Sequence, residues 1–456
     1  GFYDVFFWKE EYFLFQYLGQ NVTYLGWTFF KDKIVNIVFE GVMTDAEVKI
    51  NGKSAGEIHQ GSFYVFKYDI SKLINFEGDN LLEVTVAKHS ANKSVNAAER
   101  EADYWIFGGI FRPVYLEALP QTNIHRVSID AKADGSFRTI VQNNGDADAV
   151  QIQLTDAQGK KFGKVLKATF SGNKAEVNGS FSSPKLWSAE FPNLYKAEFT
   201  LLKNGKAIHK KQQKFGFRTI EVKERDGVYI NGVKIKFKGV ISITDVKLMK
   251  EMNMNAVRMA HYPPDNHFLE VCDSLGIYVM NELAGWHGHY DTPTGAKVLK
   301  EMMVVSENHP SIIFWANGNE GGHNPELDHI FFENDIQKRP LIYPWAVYGG
   351  FETTHYREYN YGIGTYDHGR NIIMPTEFLH GMFDGGHGAG LEDYWKAMWA
   401  NPLSAGGFLW DFQDQGIVRR DKGNIIDTDG NHGADGIVGP YYEKEGSFYT
   451  IKEIWS

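Results

Sequence analysis

The sequence predicts a multidomain protein in which two antiparallel β-sandwiches precede a (β/α)8 barrel. Three observations lead to this fold class. The chain has 456 residues, which is more than one hydrophobic core usually serves. Its first half alternates short β-rich runs with turn signals, which is typical of sandwiches. Its second half alternates β-rich with helical runs, which predicts a parallel sheet with helices outside it.

The two sandwiches are predicted at residues 1–119 and 120–219. In the first, turn signals such as Asn51-Gly52 separate the β-rich runs. In the second, Asp134-Gly135 and Asn204-Gly205 separate strands spaced as in an immunoglobulin-like domain of about 100 residues.

The barrel is predicted at residues 220–456, because the pattern changes after Asp226-Gly227. Seven candidate strands are 234–239, 256–258, 277–281, 312–317, 341–343, 372–376 and 407–410. Helices are expected near 244–252, 265–274 and 391–400. We expect an eighth strand between Phe351 and Arg370, because eight strands close such a barrel.

Composition excludes several classes of protein. No stretch approaches the roughly 18 uncharged apolar residues of a membrane-spanning helix. The net charge of -10 offers no basic surface for nucleic acid. The single cysteine, Cys272, excludes an internal disulfide framework. We therefore expect neither a membrane nor a nucleic acid as partner.

Chemistry in such barrels takes place at the C-terminal ends of the strands. The predicted strand ends carry Arg258, Glu282, Asn319, Glu320, Glu377 and Trp410. If Glu320 and Glu377 end strands four and seven, they face each other across the barrel mouth. Hydrolysis of a glycosidic bond needs one carboxyl to protonate the leaving oxygen and another to attack or to activate water. Taken alone, the two residues are explained equally well as exposed or structurally paired glutamates.

Five motifs resemble glycoside hydrolase family 2, in the right order and along nearly the whole chain. They are the first-domain segment Asp103-Tyr104-Trp105 to Arg112, the strand-2 segment Asn255 to Pro263, the strand-4 segment Trp315-Ala316-Asn317-Gly318-Asn319-Glu320, the nucleophile segment Glu377-Phe378-Leu379-His380-Gly381, and the strand-8 segment Gly406 to Asp411. The resemblance implies a jelly-roll, sugar-binding-like first domain, an immunoglobulin-like second domain and a TIM-barrel catalytic domain.

The same resemblance implies roles for individual residues. Glu320 would be the general acid/base and Glu377 the nucleophile of a retaining enzyme. Asn319 would bind the sugar 2-hydroxyl, and Asp103 would reach into the active site. Arg258 would keep Glu377 ionised. Alternatively, Arg258 has no catalytic role and forms a structural ion pair in the barrel floor.

A second group of residues would contact the sugar ring. His261, His380 and Asp435 would bind hydroxyls, although both histidines could instead be structural. Trp410 would form a platform beneath the sugar, with core packing as the alternative. Tyr356 would hydrogen-bond the nucleophile.

The sugar is expected to be a neutral hexose. Members that cleave glucuronides usually carry an Asn-x-Lys pair near the barrel end, and the corresponding stretch 430–438 has no lysine. We therefore predict an exo-β-galactosidase that acts on oligosaccharides or polysaccharide fragments. A β-glucuronidase, another β-hexosidase and an inactive carbohydrate-binding homologue are the alternatives.

No cofactor is expected to be required. Large members of the family bind Mg²⁺ through an acidic residue and a histidine after strand 3; His287 matches the histidine, but its acidic partner is missing. The connection from Val240 to Asp245 is shorter than in the family, which would remove a substrate-facing histidine. We favour a missing loop segment over a true deletion. A homo-oligomer is compatible with the sequence, and the compartment, bacterial cytoplasm or periplasm, is not determined.

Overall fold

The computed structural model describes residues 30–102, 105–242, 245–357, 370–382, 387–430 and 432–456, together with the backbone of strand Tyr12–Phe13. The chain divides into two compact units. The first unit comprises Gly1–Ser183, Tyr195–Phe215 and Tyr290–Asn308, and the second comprises Pro184–Leu194, Gly216–His289 and His309–Ser456.

The N-terminal part of the first unit is an antiparallel β-sandwich. Its strands are Tyr12–Phe13, Ile34–Phe39, Val42–Met43, Asp45–Ile50, Lys53–Ser54, His59–Gln60, Phe66–Asp69, Leu82–Ala87, Gly109–Ile110 and Val114–Leu119. Side chains of Ile34–Phe39 and Asp45–Ile50, which lie in different sheets, share one buried core. The helix Lys93–Glu99 begins at Asn92, whose side chain accepts from the Ser94 amide.

The second sandwich has a three-stranded and a four-stranded antiparallel sheet. The first sheet contains Asn123–Ala131, Ser136–Asn144 and Lys174–Ser180; the second contains Lys161–Thr169, Ala149–Thr155, Tyr195–Lys203 and Lys206–Phe215. Phe137 packs on Phe215 across the two sheets, with ring centroids 5.4 Å apart. Alternate side chains of Ala149–Thr155 are buried, as expected for a strand with one face on the core. This immunoglobulin-like arrangement confirms the prediction.

The second unit contains the (β/α)8 barrel, which is also confirmed. Its strands are β1 (Phe237–Ile241), β2 (Ala256–Arg258), β3 (Tyr278–Trp286), β4 (Ile312–Asn319), β5 (Leu341–Ile342), β6 (Phe351–Glu352), β7 (Ile372–Ile373) and β8 (Gly406–Leu409). Parallel pairing joins β8, β1, β2, β3, β4 and β5 in that order, and joins β6 to β7. Each strand contributes at least one buried side chain to a single core cluster, which includes Phe237, Ala256, Tyr278, Phe314, Ile342, Phe351, Ile372 and Phe408.

One strand prediction needs correction. The run predicted as one strand at 234–239 is two strands, because Asn231 and Gly232 both have positive φ and form a tight hairpin turn. Val233–Ile235 therefore pairs back on Gly227–Ile230, which also pairs with Ile220–Lys223, and β1 starts afresh at Phe237. The eighth strand, β6, lies at the very start of the expected window.

Six helices accompany the barrel strands in the described part of the chain: Val246–Glu251, Asn266–Leu275, Thr292–Ser306, Asp328–Asn334, His387–Ala400 and Gly446–Ile454. Asp245, Asp265 and Asp291 each cap one of them by accepting backbone N–H bonds. By its contacts, Thr292–Ser306 belongs to the first unit. Among the described residues, no helix is long and apolar enough to cross a membrane.

Candidate active site

The backbone after β4 turns sharply and so places Glu320. Gly318 has φ of 66°, and a Cβ there would lie 2.0 Å from the carbonyl oxygen of Gly322. Only glycine fits such a position without moving the backbone. Glu320 itself has φ of 46°, an uncommon value for a residue with a side chain, and such values cluster at functional sites.

Glu320 and Glu377 meet at one end of the barrel. A carboxylate oxygen of each and a ring nitrogen of His355 all lie within 4.8 Å of one another. Glu377 is buried, with 3% of its side chain exposed, whereas Glu320 retains 10%. The side chains at the ends of β4 and β7 therefore converge, as the sequence predicts.

Arg258, at the end of β2, links several of the predicted residues. Its Nε donates to Oε2 of Glu282 at 2.8 Å, and Nη1 donates to Oε1 of Glu377 at 2.9 Å. Nη2 donates to Oδ1 of Asn319 at 2.6 Å and lies 3.4 Å from Nδ1 of His261. The guanidinium is fully buried, so one fixed positive charge serves two carboxylates.

The surroundings of Glu377 favour its ionised form. Burial opposes ionisation, but the positive charge of Arg258 and a hydrogen bond from the Tyr356 hydroxyl favour the carboxylate and help to lower the pKa of Glu377. The same contact, together with burial, raises the pKa of Tyr356, which keeps its hydroxyl proton. Glu377 can therefore carry the negative charge that a nucleophile needs.

Glu320 has a different set of neighbours. The Trp286 indole Nε1 donates to Oε2 at 3.0 Å, and Nδ1 of His355 lies 2.8 Å from Oε1. Nε2 of His287 is 3.6 Å from Oε2, on a side chain that is 60% exposed. No arginine or lysine contacts this carboxyl among the described residues.

Asn319 presents one unused donor. Its Oδ1 accepts from Arg258, whereas the buried Nδ2 has no hydrogen-bond partner among the residues that the structure describes. A buried amide donor without a partner is costly, so such a group is often satisfied by a ligand. Because Arg258 donates to both Asn319 and Glu377, this amide lies near the carboxyl pair.

The remaining predicted residues form a connected group. Trp410 Nε1 donates to Oδ2 of Asp435 at 2.8 Å, and Nε2 of His380 lies 3.8 Å from the same oxygen. The Trp410 ring stacks on His261 with centroids 5.5 Å apart, and His380 lies 5.5 Å from Tyr356 by the same measure. Trp410 is only 6% exposed and also belongs to the barrel core. Asp103 lies outside the described residues.

Sequence reasoning assigned no role to three residues of this site. Glu282 stood at a predicted strand end, yet its pairing with Arg258 and with His261, at 3.2 Å, needs the three-dimensional arrangement. Trp286 lies at the end of β3, which extends five residues beyond its prediction. His355 follows β6, a strand of two residues that gives almost no periodic signal.

The described residues do not fit a magnesium site beside Glu320. His287 is at hand, but the residue next to it is Trp286, whose N–H group cannot bind a cation. The set Glu320, His355 and Glu377 has suitable spacing for an ion. Arg258, Tyr356 and Trp286 already donate to its carboxylates, however, so a hydrogen-bonded network accounts for it better.

Comparisons with known proteins match all three predicted regions of the chain. Residues 22–120 match the family model "Glycosyl hydrolases family 2, sugar binding domain", 122–218 match "Glycosyl hydrolases family 2" and 229–334 match "Glycosyl hydrolases family 2, TIM barrel domain". A protein named beta-galactosidase from Lactococcus lactis is 31% identical over 89% of this chain and 43% of its own length. The chain spans about half the length of the curated relatives it matches.

Solved structures show the same fold. A beta-glycosidase from Bacteroides vulgatus superposes with a TM-score of 0.77 at 22% identity, covering 94% of this chain and 66% of that one. A beta-glucuronidase from Bifidobacterium dentium, solved with coumarin-3-O-glucuronide, superposes with a TM-score of 0.73 at 22% identity, covering 93% and 86%.

Proposed function

The chain belongs to glycosyl hydrolase family 2, and from that premise we propose that it is a retaining exo-β-galactosidase that releases terminal galactose from oligosaccharides. The observation that carries the proposal is the approach of Glu320 and Glu377, whose nearest carboxylate oxygens lie within 4.8 Å. Retaining enzymes hold the two carboxyls about 5 to 5.5 Å apart, whereas inverting ones need about 6.5 to 9.5 Å for a water molecule.

The first step of this reaction forms a bond between Glu377 and the anomeric carbon. The lowered pKa of Glu377 keeps the attacking carboxylate ionised. Glu320 gives its proton to the glycosidic oxygen, which leaves with the bonding electrons as an alcohol. In the second step Glu320 removes a proton from water, whose oxygen displaces Glu377 and restores both carboxyl groups.

Asn319 is proposed to strengthen binding of the transition state. Its unpartnered Nδ2 would donate to the sugar 2-hydroxyl, a contact that tightens as positive charge develops on the ring. The group of Trp410, His380 and Asp435 would bind the other hydroxyls of the terminal sugar.

Preference for galactose rests on charge at this end of the barrel. Asp435 is buried beside Trp410, and an acidic group there would repel the carboxylate of a uronate. The absence of lysine from 430–438 removes the counter-ion that a glucuronide would need. A β-glucuronidase remains the second candidate, since a solved relative in fold carries that name.

Hydrolysis of three 4-nitrophenyl substrates tests the proposal. The β-galactoside should be cleaved faster than the β-glucuronide and the β-glucoside. Glu377→Gln should abolish cleavage, whereas Glu352→Gln, which alters another buried glutamate of the barrel, should retain most of it. Fastest cleavage of the glucuronide would favour the second candidate, and full activity of Glu377→Gln would refute the assignment of the nucleophile. Proton NMR of the first-formed sugar should show the β-anomer; initial release of the α-anomer would refute retention.

A further inference from the structure

His355 lies between the two proposed catalytic carboxyls, and the reaction scheme gives it no role. Its side chain is fully buried, with Nδ1 2.8 Å from Oε1 of Glu320 and 3.4 Å from Oε2 of Glu377. A ring in this position affects which of the two carboxyls holds a proton. The inference that follows rests on the proposed function.

The other nitrogen of the ring determines its protonation. Nε2 lies 2.8 Å from Oγ1 of Thr376, and that hydroxyl donates to the carbonyl of Thr353 at 3.2 Å. A hydroxyl has only one hydrogen, so with that hydrogen on the Thr353 carbonyl Oγ1 accepts from Nε2–H. The neutral ring with its proton on Nε2 then presents a lone pair at Nδ1.

The two oxygens of Glu320 match this arrangement. A neutral carboxyl has one O–H donor and one carbonyl acceptor. Nδ1 of His355 would accept the O–H at Oε1, while the indole of Trp286 donates to Oε2 at 3.0 Å. Glu377 holds a proton less readily, because Arg258 donates to its Oε1 and Tyr356 donates to its Oε2.

We propose that His355 is a positioning residue that holds the proton of the general acid, accepting the Glu320 O–H at Nδ1 while Thr376 fixes the ring proton on Nε2. When the glycosidic oxygen takes that proton, the Nδ1 lone pair faces a carboxylate. This contact is unfavourable, so it assists Glu320 in removing a proton from water in the second step. The ring stays neutral throughout, and the proton count is unchanged after each turnover.

Within the part of the chain that the structure describes, side chains from several strands face His355. Glu320 follows β4 and Glu377 follows β7, while Trp345, beyond β5, stacks on the ring with centroids 5.3 Å apart. The ring of Tyr356, on the same segment, lies edge-on to the His355 ring, with centroids 5.8 Å apart. Other titratable groups of the described residues lie beyond these carboxyls: Arg258 and His261 beside Glu377, and His287 beside Glu320.

The test compares His355→Phe, which keeps a ring but removes both nitrogens, with the wild-type protein. Without the acceptor, Glu320 should lose its proton more easily, so the alkaline limb of kcat/KM should move to lower pH by about one unit. For methyl β-galactoside, kcat/KM should fall on the order of 10- to 100-fold, because methanol is a poor leaving group whose departure depends on the acid. For 2,4-dinitrophenyl β-galactoside, kcat/KM should fall far less, because dinitrophenolate leaves without needing a proton.

Substitution of Thr376 gives a second test that leaves the His355 ring in place. Thr376→Val should shift the alkaline limb in the same direction, and Thr376→Ser, which restores the hydroxyl, should not. As a matched control, His309→Asn alters a buried histidine that binds Asp273 at 2.6 Å, and it should leave the pH profile unchanged. An equal loss on both substrates with an unmoved limb would make His355 merely structural. A shift to higher pH would mean that Nδ1 carries a proton; either result overturns the proposal.

A measurement without turnover separates this proposal from the proposed function. Nitrogen-15 NMR of histidine-labelled protein near neutral pH, assigned through His355→Phe, should show the Nε2–H tautomer for His355. The Nδ1–H tautomer or a cationic ring would overturn the proposal even if galactosides are cleaved. Wild-type protein that cleaves no β-glycoside yet shows this tautomer would refute only the proposed function.

Discussion

Arg258 donates from Nη1 to Oε1 of Glu377 over 2.9 Å, and neither side chain is more than 3% exposed. Arginine does not lose its proton at physiological pH, so the negative charge of Glu377 is matched before any substrate arrives. Glu282 binds the same guanidinium at Nε and holds it in place. The proposed nucleophile is therefore held in place by residues of β2 and β3.

The first prediction concerns the pH dependence that this arrangement produces. The pKa of Glu377 lies below its usual 4.5, so the proposed nucleophile stays ionised above that pKa, and its charge is lost only as the pH falls through it. Tyr356→Phe removes one donor to the carboxylate, which raises the pKa and moves the acid limb of kcat/KM to higher pH by about one unit. A pH profile from 3 to 7 measures the shift. Tyr343→Phe, which removes a hydroxyl bonded to Asp328, is the matched control, and an equal shift in both variants would contradict the prediction.

The second prediction concerns the unused amide of Asn319. Asn319→Ala should lower kcat/KM for a β-galactoside on the order of 100-fold, because a donor to the 2-hydroxyl is lost in the transition state. For the 2-deoxygalactoside, which lacks that hydroxyl, the same substitution should cost far less. Steady-state kinetics on the two substrates gives the comparison. An equal loss on both would mean that Asn319 acts by holding Arg258, to which its Oδ1 is bonded.

The third prediction concerns metal dependence. Because Trp286 stands beside His287 where an acidic ligand would be needed, prolonged dialysis against EDTA should leave galactosidase activity unchanged. His287→Ala should likewise show no change in its response to added Mg²⁺. Loss of activity in EDTA with recovery on adding Mg²⁺ would contradict this expectation.

The fourth prediction concerns stability. His387 is buried and binds the carbonyl of Trp410, and burial lowers the pKa of His387 from 6.5 to about 4. The unfolded chain then binds more protons than the folded one between these values, so stability is present above pH 6.5 and is lost as the pH falls towards 4. Below pH 4 the full effect is a decrease of roughly 3 kcal/mol in the free energy of unfolding.

Urea unfolding of wild type and His387→Gln at pH 7 and pH 5 measures this effect. The wild-type midpoint should fall at pH 5 by more than that of the variant, because glutamine does not titrate. Parallel changes in the two proteins would assign the pH dependence to other groups.

Sequence could predict the fold and the position of two glutamates at strand ends because both follow from strong local patterns, whereas the catalytic roles of these glutamates were implied only by the family resemblance. Glu320 and Glu377 end apolar runs at barrel spacing, and polar residues at strand ends are informative in this architecture. The two sandwiches were likewise readable from turn signals. In each case neighbouring residues carry the information, and no distant contact is needed.

The rest depends on short elements and distant partners. His355 follows a strand of two residues, β6, and its neighbours Glu320 and Thr376 come from other strands. The run 234–239 is divided at Lys236, because the Asn231-Gly232 turn before it pairs Val233–Ile235 with Gly227–Ile230 and the barrel strand begins only at Phe237. The unpredicted helix Thr292–Ser306 starts at the Asp291 cap, where a proline in the first turn resembles a loop.

Trapping of the glycosyl-enzyme intermediate tests the central claim most directly. A 2-deoxy-2-fluoro-β-galactosyl fluoride reacts with the nucleophile of a retaining enzyme but leaves it slowly, because the fluorine at C2 destabilises the positive charge of both transition states. Mass spectrometry of the digested protein should locate one added fluorosugar on Glu377, with none in Glu377→Gln. A label on another residue, or no label in a preparation that cleaves β-galactosides, would contradict the account.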